Sequence, residues 1–409
     1  MIHSKTHAAL AVTVLLAAAG PAPSHAQGIS DGVVKIGVMT DMGGPYSAIG
    51  GAGSVAAARL AVKDFSKDGT VLGKKIEIVA GDHQQKGDVA SVLARQWFDR
   101  DQVDMVTDLT GSTATLAVME IAEQKKKPAL VTGGFSLAVT NERCNAYTVQ
   151  WVGDFYPLTT TLPTRLVKAG KKRWFFITAD YSAGKYVEEK SAEAVKAAGG
   201  EVMGSARAPL GTLDYSSFML RAQSSKADVV ALANTGLDAV NSIKTAAEFG
   251  VSPKQTVVPL FLFITEIDSL GLAKMQGANI VEFFYWNQND RTRTWARRFF
   301  EAHKRMPTSV QAGVYSSVTN YLKAVAAAGT DDGDAVMAML KKTPIDDGLF
   351  KGTIRADGRL IHDMLLVEIK RPAESQTPWD YYNIKAVIPG AEAAQPLSES
   401  KCKLVTAAK

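Results

Sequence analysis

The stretch at 103–136, VDMVTDLTGSTATLAVMEIAEQKKKPALVTGGFS, decides the fold. It reads as strand, tight turn, helix, strand. An apolar run at 103–108 gives way to the small-residue turn Leu109-Thr110-Gly111-Ser112-Thr113. Leu116, Met119, Ile121 and Ala122 then recur at helical spacing as far as Lys125-Lys126-Lys127. Pro128 stops the helix, and a second strand at 129–132 ends in Gly133-Gly134. A βαβ unit of this kind sets the turn after each strand at the carboxyl edge of a parallel sheet, where open α/β folds bind ligands. Ser112 falls at the start of the helix, where free backbone N–H groups and the macrodipole favour an anion. No acid–base pair or metal cluster accompanies it in the sequence. The stretch therefore predicts a pocket that holds a carboxylate, without a reaction centre.

The same alternation runs outward on both sides. Upstream lie a strand at 33–39, a small-residue loop at 40–53, a helix at 54–65, an alternating strand at 75–80 and a helix at 88–100. A strand at 147–151 leads to Gly153-Asp154, and the pattern restarts. Helices are predicted at 155–169, 183–198, 214–224 and 238–249, with strands at 173–178, 201–206, 229–232 and 257–263. A further strand at 280–285 precedes helices at 292–304, 309–327 and 334–341. Strands at 353–354 and 364–369 flank the turn Ala356-Asp357-Gly358, and Pro, Ser and charge after Pro372 predict a poorly regular tail. Two successive runs of alternation imply two three-layer α/β lobes.

Composition fits that size. With 409 residues, 46% hydrophobic and 21% charged, the chain has the make-up of a globular protein long enough for two cores. A net charge of +5 without a dense basic block argues against nucleic acid as a partner. At the N-terminus, Lys5 precedes an apolar run at 8–19 broken by Gly20-Pro21. Ser24-His25-Ala26 supplies the small residues a signal peptidase reads, so a signal peptide at 1–26 with cleavage after Ala26 is expected. The run is too short for a membrane span. Export to a bacterial periplasm follows. The two cysteines, Cys144 and Cys402, are an even count that an oxidising compartment allows to pair. That bond would tie the C-terminal tail to the end of the first lobe.

Several blocks together carry a resemblance. VVKIGVMTDMGGPYSAIGGAGSVAAARLAVKDF, KIEIVAGDHQQK, LTGSTATLAVMEIAEQKKKPALVTGG, VQAGVYSSVTNYLKAVAAAG and KGTIRADGRLIHDMLLVEI follow in order. The chain is similar, across its mature length, to the leucine/isoleucine/valine-type periplasmic binding proteins, the branched-chain amino-acid receptors of ABC transporters. The resemblance implies a type I periplasmic binding fold: two Rossmann-like lobes joined by three hinge crossovers, placed near Trp151, Tyr285 and Arg359. It implies lobe I at 27–151 plus 285–360, lobe II at 152–284 plus 361–390, and a tail at 391–409. The expected partners are a small-molecule carboxylate and an inner-membrane ABC permease, with the protein a monomer and no cofactor.

Carried over residue by residue, the resemblance assigns the carboxylate to Ser112, with Thr113 beside it, and to the turn of Gly133, Gly134 and Ser136. The family's ammonium partner is an acidic residue just after the strand matching 257–263; here Phe261 and Phe263 stand nearest, with Glu266 slightly beyond. An aromatic cannot pair an ammonium, and a buried unpaired ammonium is costly. If Glu266 does not reach in, the ligand lacks an amino group, and Tyr46, Tyr181 and Phe263 suit a planar or apolar body. Asn234 and Thr235, after the strand at 229–232, are expected to contact it by hydrogen bonds, against a plainer role capping the next helix. Asp154 reads equally as structural or ligand-facing. The family's N-lobe disulfide is missing, since the matching positions are His83 and Thr110. An aromatic acid or 2-oxo acid is the expected ligand, and a branched-chain amino acid the alternative.

Other classes fit less well. Gly51-Ala52-Gly53 with Ala56 is a weak echo of a dinucleotide fingerprint but lies too far past its strand. There is no G-x-S-x-G elbow, and His83, His303 and His362 show no metal-ligand spacing, reading instead as surface or capping residues. The expectation is a receptor and not an enzyme, with a sensor role as the alternative use of the same closure.

Overall fold

The computed structural model describes residues 28–251 and 254–406, together with Met1. Apart from Met1, the expected signal peptide lies outside the described residues. The first lobe opens with β1 (Val33–Thr40), α1 (Gly51–Phe65), β2 (Thr70–Val71), β3 (Lys74–Asp82) and α2 (Gly87–Asp99). It continues through β4 (Met105–Asp108), α3 (Ser112–Lys125), β5 (Ala129–Val131) and β6 (Thr148–Gln150). The second lobe holds α4 (Phe155–Lys168), β7 (Arg173–Ala179), α5 (Ser182–Ala197), β8 (Glu201–Ala208) and α6 (Ser216–Ser224). It goes on with β9 (Val229–Ala233), α7 (Leu237–Glu248), β10 (Thr256–Pro259), α8 (Ile264–Leu270), α9 (Leu272–Met275) and β11 (Asn279–Glu282). The chain then returns to the first lobe as α10 (Asp290–His303), α11 (Ser309–Ala328), α12 (Gly333–Lys342), β12 (Ile345–Asp346), β13 (Lys351–Ile354) and β14 (Leu360–His362). It crosses once more into β15 (Met364–Ile369) and β16 (Tyr382–Ile388), which form a sheet with β11.

The first sheet has the order β2-β3-β1-β4-β5-β6, parallel except for β2. The second has the order β10-β9-β7-β8, all parallel. Every residue of β4 and of β9 is buried, as expected for strands covered by helices on both faces. In the first lobe Trp97 and Phe98 of α2 pack with Val118, Met119 and Ile121 of α3 on one side of the sheet. Helices α1 and α11 cover the other side. A buried side chain of this kind contributes roughly 1.5–3 kcal/mol.

In both sheets the strand order reverses once, between β1 and β4 and between β7 and β9. Doubly wound sheets bind ligands outside the strand ends at such a switch point. The turns after β1, β4, β7 and β9 therefore define the two walls of a cleft.

Four expectations need correction. The segment after Pro372 is not irregular: β16 pairs with β15 over Tyr382–Ile388, a strand buried only at its ends, with Ile384 and Val387 exposed. Across the turn at 356–358 the partner of Thr353 is Ile361 of β14, and β15 belongs to a different sheet. The run at 257–263 ends as a strand at Pro259, because the residues beyond it turn into α8. His83 and His362 are not surface residues, being 0% and 4% exposed. The His362 ring lies between the carbonyl oxygens of Val152 and Asp363, and burial pushes it down to about 4.

Candidate functional site

Between the lobes lies a half-open cleft with about 340 Å³ of space free of protein atoms, its solvent-open mouth included. Its wall is made by Tyr46, Ile49, Thr110, Gly111, Ser112, Gly133, Phe135, Phe155, Tyr181, Ala183, Thr235, Phe261 and Phe263. Tyr46 follows β1, Ser112 follows β4, Tyr181 follows β7 and Thr235 follows β9, so both switch points contribute.

Backbone strain shapes the Ser112 turn. Asp108 and Leu109 have φ values of 74° and 58°, the left-handed region that costs a non-glycine residue about 1–3 kcal/mol. The surroundings hold the turn there. Leu109 N–H donates to the Met39 carbonyl at 2.9 Å, and Thr132 and Gly133 N–H both donate to the Asp108 carbonyl, at 3.0 and 2.8 Å. The Thr110 hydroxyl donates to the Asp108 carboxylate, whose burial raises its pKa above the ordinary carboxylate range. A Cβ on Gly133 would sit 2.5 Å from Thr110 Oγ1 and 2.8 Å from Asp108 Oδ1, so only glycine lets the next turn approach. Gln85 Nε2 bridges the Thr110 carbonyl and Asp41 Oδ2, each at 3.2 Å. Asp41 in turn accepts from Gly44 and Tyr46 N–H at 2.7 and 3.0 Å, which fixes the loop carrying Tyr46.

The cap of α3 is Gly111, and no side chain caps it; Ser112 is the first helical residue, half-buried against the cavity. A plain capping role for the serine is thus not what the structure contains. Cavity-lining residues also stand at the N-termini of α1 (Ile49), α4 (Phe155), α5 (Tyr181 and Ala183) and α7 (Thr235). No lining side chain carries a formal charge, so the polarity of the cavity comes from hydroxyls, main chain and these helix ends.

The opposite wall is aromatic. Phe135 lies 4.7 Å from Phe261 and 6.0 Å from Phe263, both edge-on, and Phe261 and Phe155 stand 5.4 Å apart at 87°. These are the edge-to-face arrangements that aromatic rings prefer. Phe135 belongs to the first lobe and the other three to the second, so the cluster spans the cleft. At its rim the Tyr46 hydroxyl donates to the Tyr181 hydroxyl at 3.0 Å. Burial raises the pKa of both phenols. A Cβ at Gly236, whose φ is +63°, would meet the Pro45 carbonyl oxygen at 2.7 Å. The two lobes touch.

Of the sequence-predicted site residues, Tyr46, Ser112, Gly133, Tyr181, Thr235 and Phe263 line this cavity. Thr113, Gly134, Ser136 and Asn234 do not. Thr113 points outward and is exposed. The Gly134 carbonyl accepts from Gln150 Nε2 at 2.6 Å, and Ser136 Oγ accepts from Ala138 N–H at 3.3 Å. Asn234 turns back into α7, donating to Ser242 Oγ at 3.1 Å. Glu266 also stays out: its Oε1 accepts from Gly236 N–H at 2.8 Å and its Oε2 from Phe263 N–H at 3.0 Å. Burial pushes that carboxyl up to about 7. Asp154 is structural, its Oδ1 capping α4 through Tyr156 N–H and its Oδ2 pairing with Arg359 at 2.9 Å. Sequence reasoning missed Ile49, Thr110, Gly111, Phe135, Phe155 and Ala183. Phe135 stood between two named residues, Gly134 and Ser136, and was the readable signal.

The periplasmic binding protein model matches residues 33–376. The chain belongs to that family. A crystallised periplasmic binding protein from Burkholderia mallei is 47% identical, with a TM-score of 0.88 covering 92% of this chain and 100% of that one. A branched-chain amino acid ABC transporter periplasmic ligand-binding protein from Burkholderia xenovorans is 38% identical, with a TM-score of 0.81 covering 91% of this chain and 100% of that one. The Leu/Ile/Val-binding protein homolog 7 of Brucella suis is 26% identical over 326 residues, 77% of this chain and 79% of the relative. Family and fold are those of substrate-binding receptors, and the three crossovers of this periplasmic binding protein run at 150–155, 282–290 and 362–364. Among the described residues no helix is long and apolar enough to cross a membrane, and no group of three or more His, Cys, Asp or Glu could hold a metal.

Proposed function

We propose that this periplasmic binding protein captures a small carboxylate without an amino group, an aromatic acid or 2-oxo acid, and delivers it to an ABC permease by hinge closure. The observation that carries the reading is the charge inventory of the cavity. A ligand ammonium would find no carboxylate in the wall, because Glu266 is turned away behind Thr235 and spent on backbone N–H groups. A buried unpaired ammonium costs several kcal/mol. A carboxylate, by contrast, meets the Ser112 hydroxyl and the first N–H groups of α3, and charge-assisted bonds of that kind need no arginine. The phenylalanine wall then takes the apolar body.

Capture works through differential contact. Ligand held first by Ser112 and Gly133 draws in Tyr181, Thr235 and Phe263 from the other lobe, and only a ligand touching both lobes shifts the population. We place lobe I at 27–151 plus 285–360 and lobe II at 152–284 plus 361–390. The mature monomer begins after Ala26 in the periplasm, and the intact mass of exported protein checks that boundary.

The second reading is a branched-chain amino acid, as the names of two relatives suggest for those proteins. It requires Glu266 to swing into the cavity. A thermal-shift screen of aromatic carboxylates, 2-oxo acids and amino acids decides, because a tight ligand raises the melting temperature by mass action. Stabilisation by the acids alone supports the proposal; stabilisation by leucine, isoleucine or valine alone overturns it.

A further inference from the structure

The chain passes between the lobes a fourth time at its C-terminus. β16 ends at Ile388 in the sheet it shares with β15 and β11, and Tyr381 beside it donates to Asp268 of α8 at 2.6 Å. The next helix, α13 (Gly390–Ala393), lies directly on the third crossover. Gly390 N–H donates to Asp363 Oδ1 at 3.0 Å, and a Cβ at Gly390 would meet the His362 backbone at 2.6–2.9 Å. Beyond it the chain is fastened to the first lobe. The Gln395 side chain takes a hydrogen bond from Asn141 Nδ2, and its carbonyl accepts from Arg355 Nη1 at 3.0 Å. Lys401 N–H donates to Asn141 Oδ1 at 2.6 Å, and Cys402 is joined to Cys144 by a disulfide. Asn141 and Cys144 belong to the connection between β5 and β6, which also carries Phe135 of the cavity wall.

We propose that residues 389–402 are a fourth hinge strap, and that the Cys144–Cys402 disulfide limits how far the two lobes open. Each polar anchor is worth only about 0.5–1.5 kcal/mol, so the anchors alone release readily. The covalent bond keeps the strap end at an effective concentration of roughly millimolar beside its sockets, so released anchors re-form. A dithiol supplies two electrons and two protons, converts the bond to two thiols and is itself oxidised to a disulfide. The strap can then leave the first lobe. The inference rests on hinge closure, and its test needs no ligand.

Small-angle X-ray scattering of the full chain, oxidised against reduced with dithiothreitol, reads the opening, and hydrogen exchange at 150–154 and 359–363 reads the hinge. Circular dichroism checks that the fold survives. The Cys144→Ser/Cys402→Ser double variant is the chemical control. Insertion of about six Gly/Ser residues between Ala394 and Gln395 slackens the strap while keeping the bond. The expected result is a larger radius of gyration and faster hinge exchange in every loosened form. If the double variant does not fold, the reduced protein and the insertion carry the test. A lower melting temperature with unchanged radius and hinge exchange would make the disulfide a local staple and overturn the proposal. Hinge closure itself is read separately, from compaction of the intact protein on adding the acid panel.

Discussion

Tyr46 and Tyr181 share one hydrogen bond, hydroxyl to hydroxyl at 3.0 Å, and they come from opposite lobes. With Tyr46 donating, the Tyr181 proton stays free to serve a cavity occupant. Replacing either tyrosine by phenylalanine removes the latch and keeps the ring. Tyr46→Phe is expected to weaken ligand binding by about 0.5–1.5 kcal/mol, seen by calorimetry chiefly as faster release. Equal affinity in both phenylalanine variants would leave the latch without a role in holding the closed form.

Ser112 offers its hydroxyl at a helix end that no side chain caps. Ser112→Ala is expected to lower affinity by about 1.5–3 kcal/mol, the usual loss for a bond to a charged group. Thr113→Ala, one position on and exposed, serves as the comparison and should bind like the parent. If both bind alike, the carboxylate sits elsewhere.

Arg359 and Asp154 form an ion pair that is 1% and 2% exposed, tying the first crossover to the residue just before β14. Two further Arg359 nitrogens, Nε and Nη2, are buried without a partner. Asp154→Ala would strand the guanidinium, at an expected cost of about 3–5 kcal/mol in urea unfolding. The paired replacement Asp154→Leu/Arg359→Met should recover most of that loss, since a well-packed apolar pair is commonly as stable as a buried ion pair.

The pH dependence has two limbs. Burial pushes Glu266 up to about 7 and Glu282 up to about 8, so the native state holds protons that the unfolded chain has already released. Stability from these two groups is fully present below an unfolded pKa near 4.5 and falls as pH rises through 7 and 8. His362 runs the other way. Held near 4 by burial, it adds stability as pH climbs from about 4 to 6.5. The limbs overlap from about 4.5 to 6.5, where two carboxyls outweigh one imidazole, so denaturant titrations should peak near pH 4.5 and fall toward pH 8, and Glu282→Gln should flatten that fall.

The parallel strands could be read in the sequence because sheets covered on both faces write themselves as unbroken apolar runs, as in β4 and β9. Turn chemistry exposed the Ser112 and Gly133 wall for the same local reason. β16 was hidden because only its two end residues are buried, so it lacks the apolar run of a covered strand, and α8 because it begins within a run of apolar residues where periodicity is silent. Asn234 misled for a different reason. A polar residue in the right turn reads alike whether it faces a ligand or its own helix, and here Ser242, eight residues on, decides the matter. Phe135 and Phe155 meet Phe261 only through tertiary packing, which no spacing along the chain encodes.

The absence of any charged side chain from the cavity wall has an operational consequence. Attraction by surface lysines or arginines fades as salt shortens the Debye length, from about 30 Å at 0.01 M to about 8 Å at 0.15 M. Partial charges at the ends of helices act at hydrogen-bond range and carry no net charge for mobile ions to screen. An anion held by these groups is then expected to bind with an affinity that changes little between about 0.01 M and 0.15 M salt.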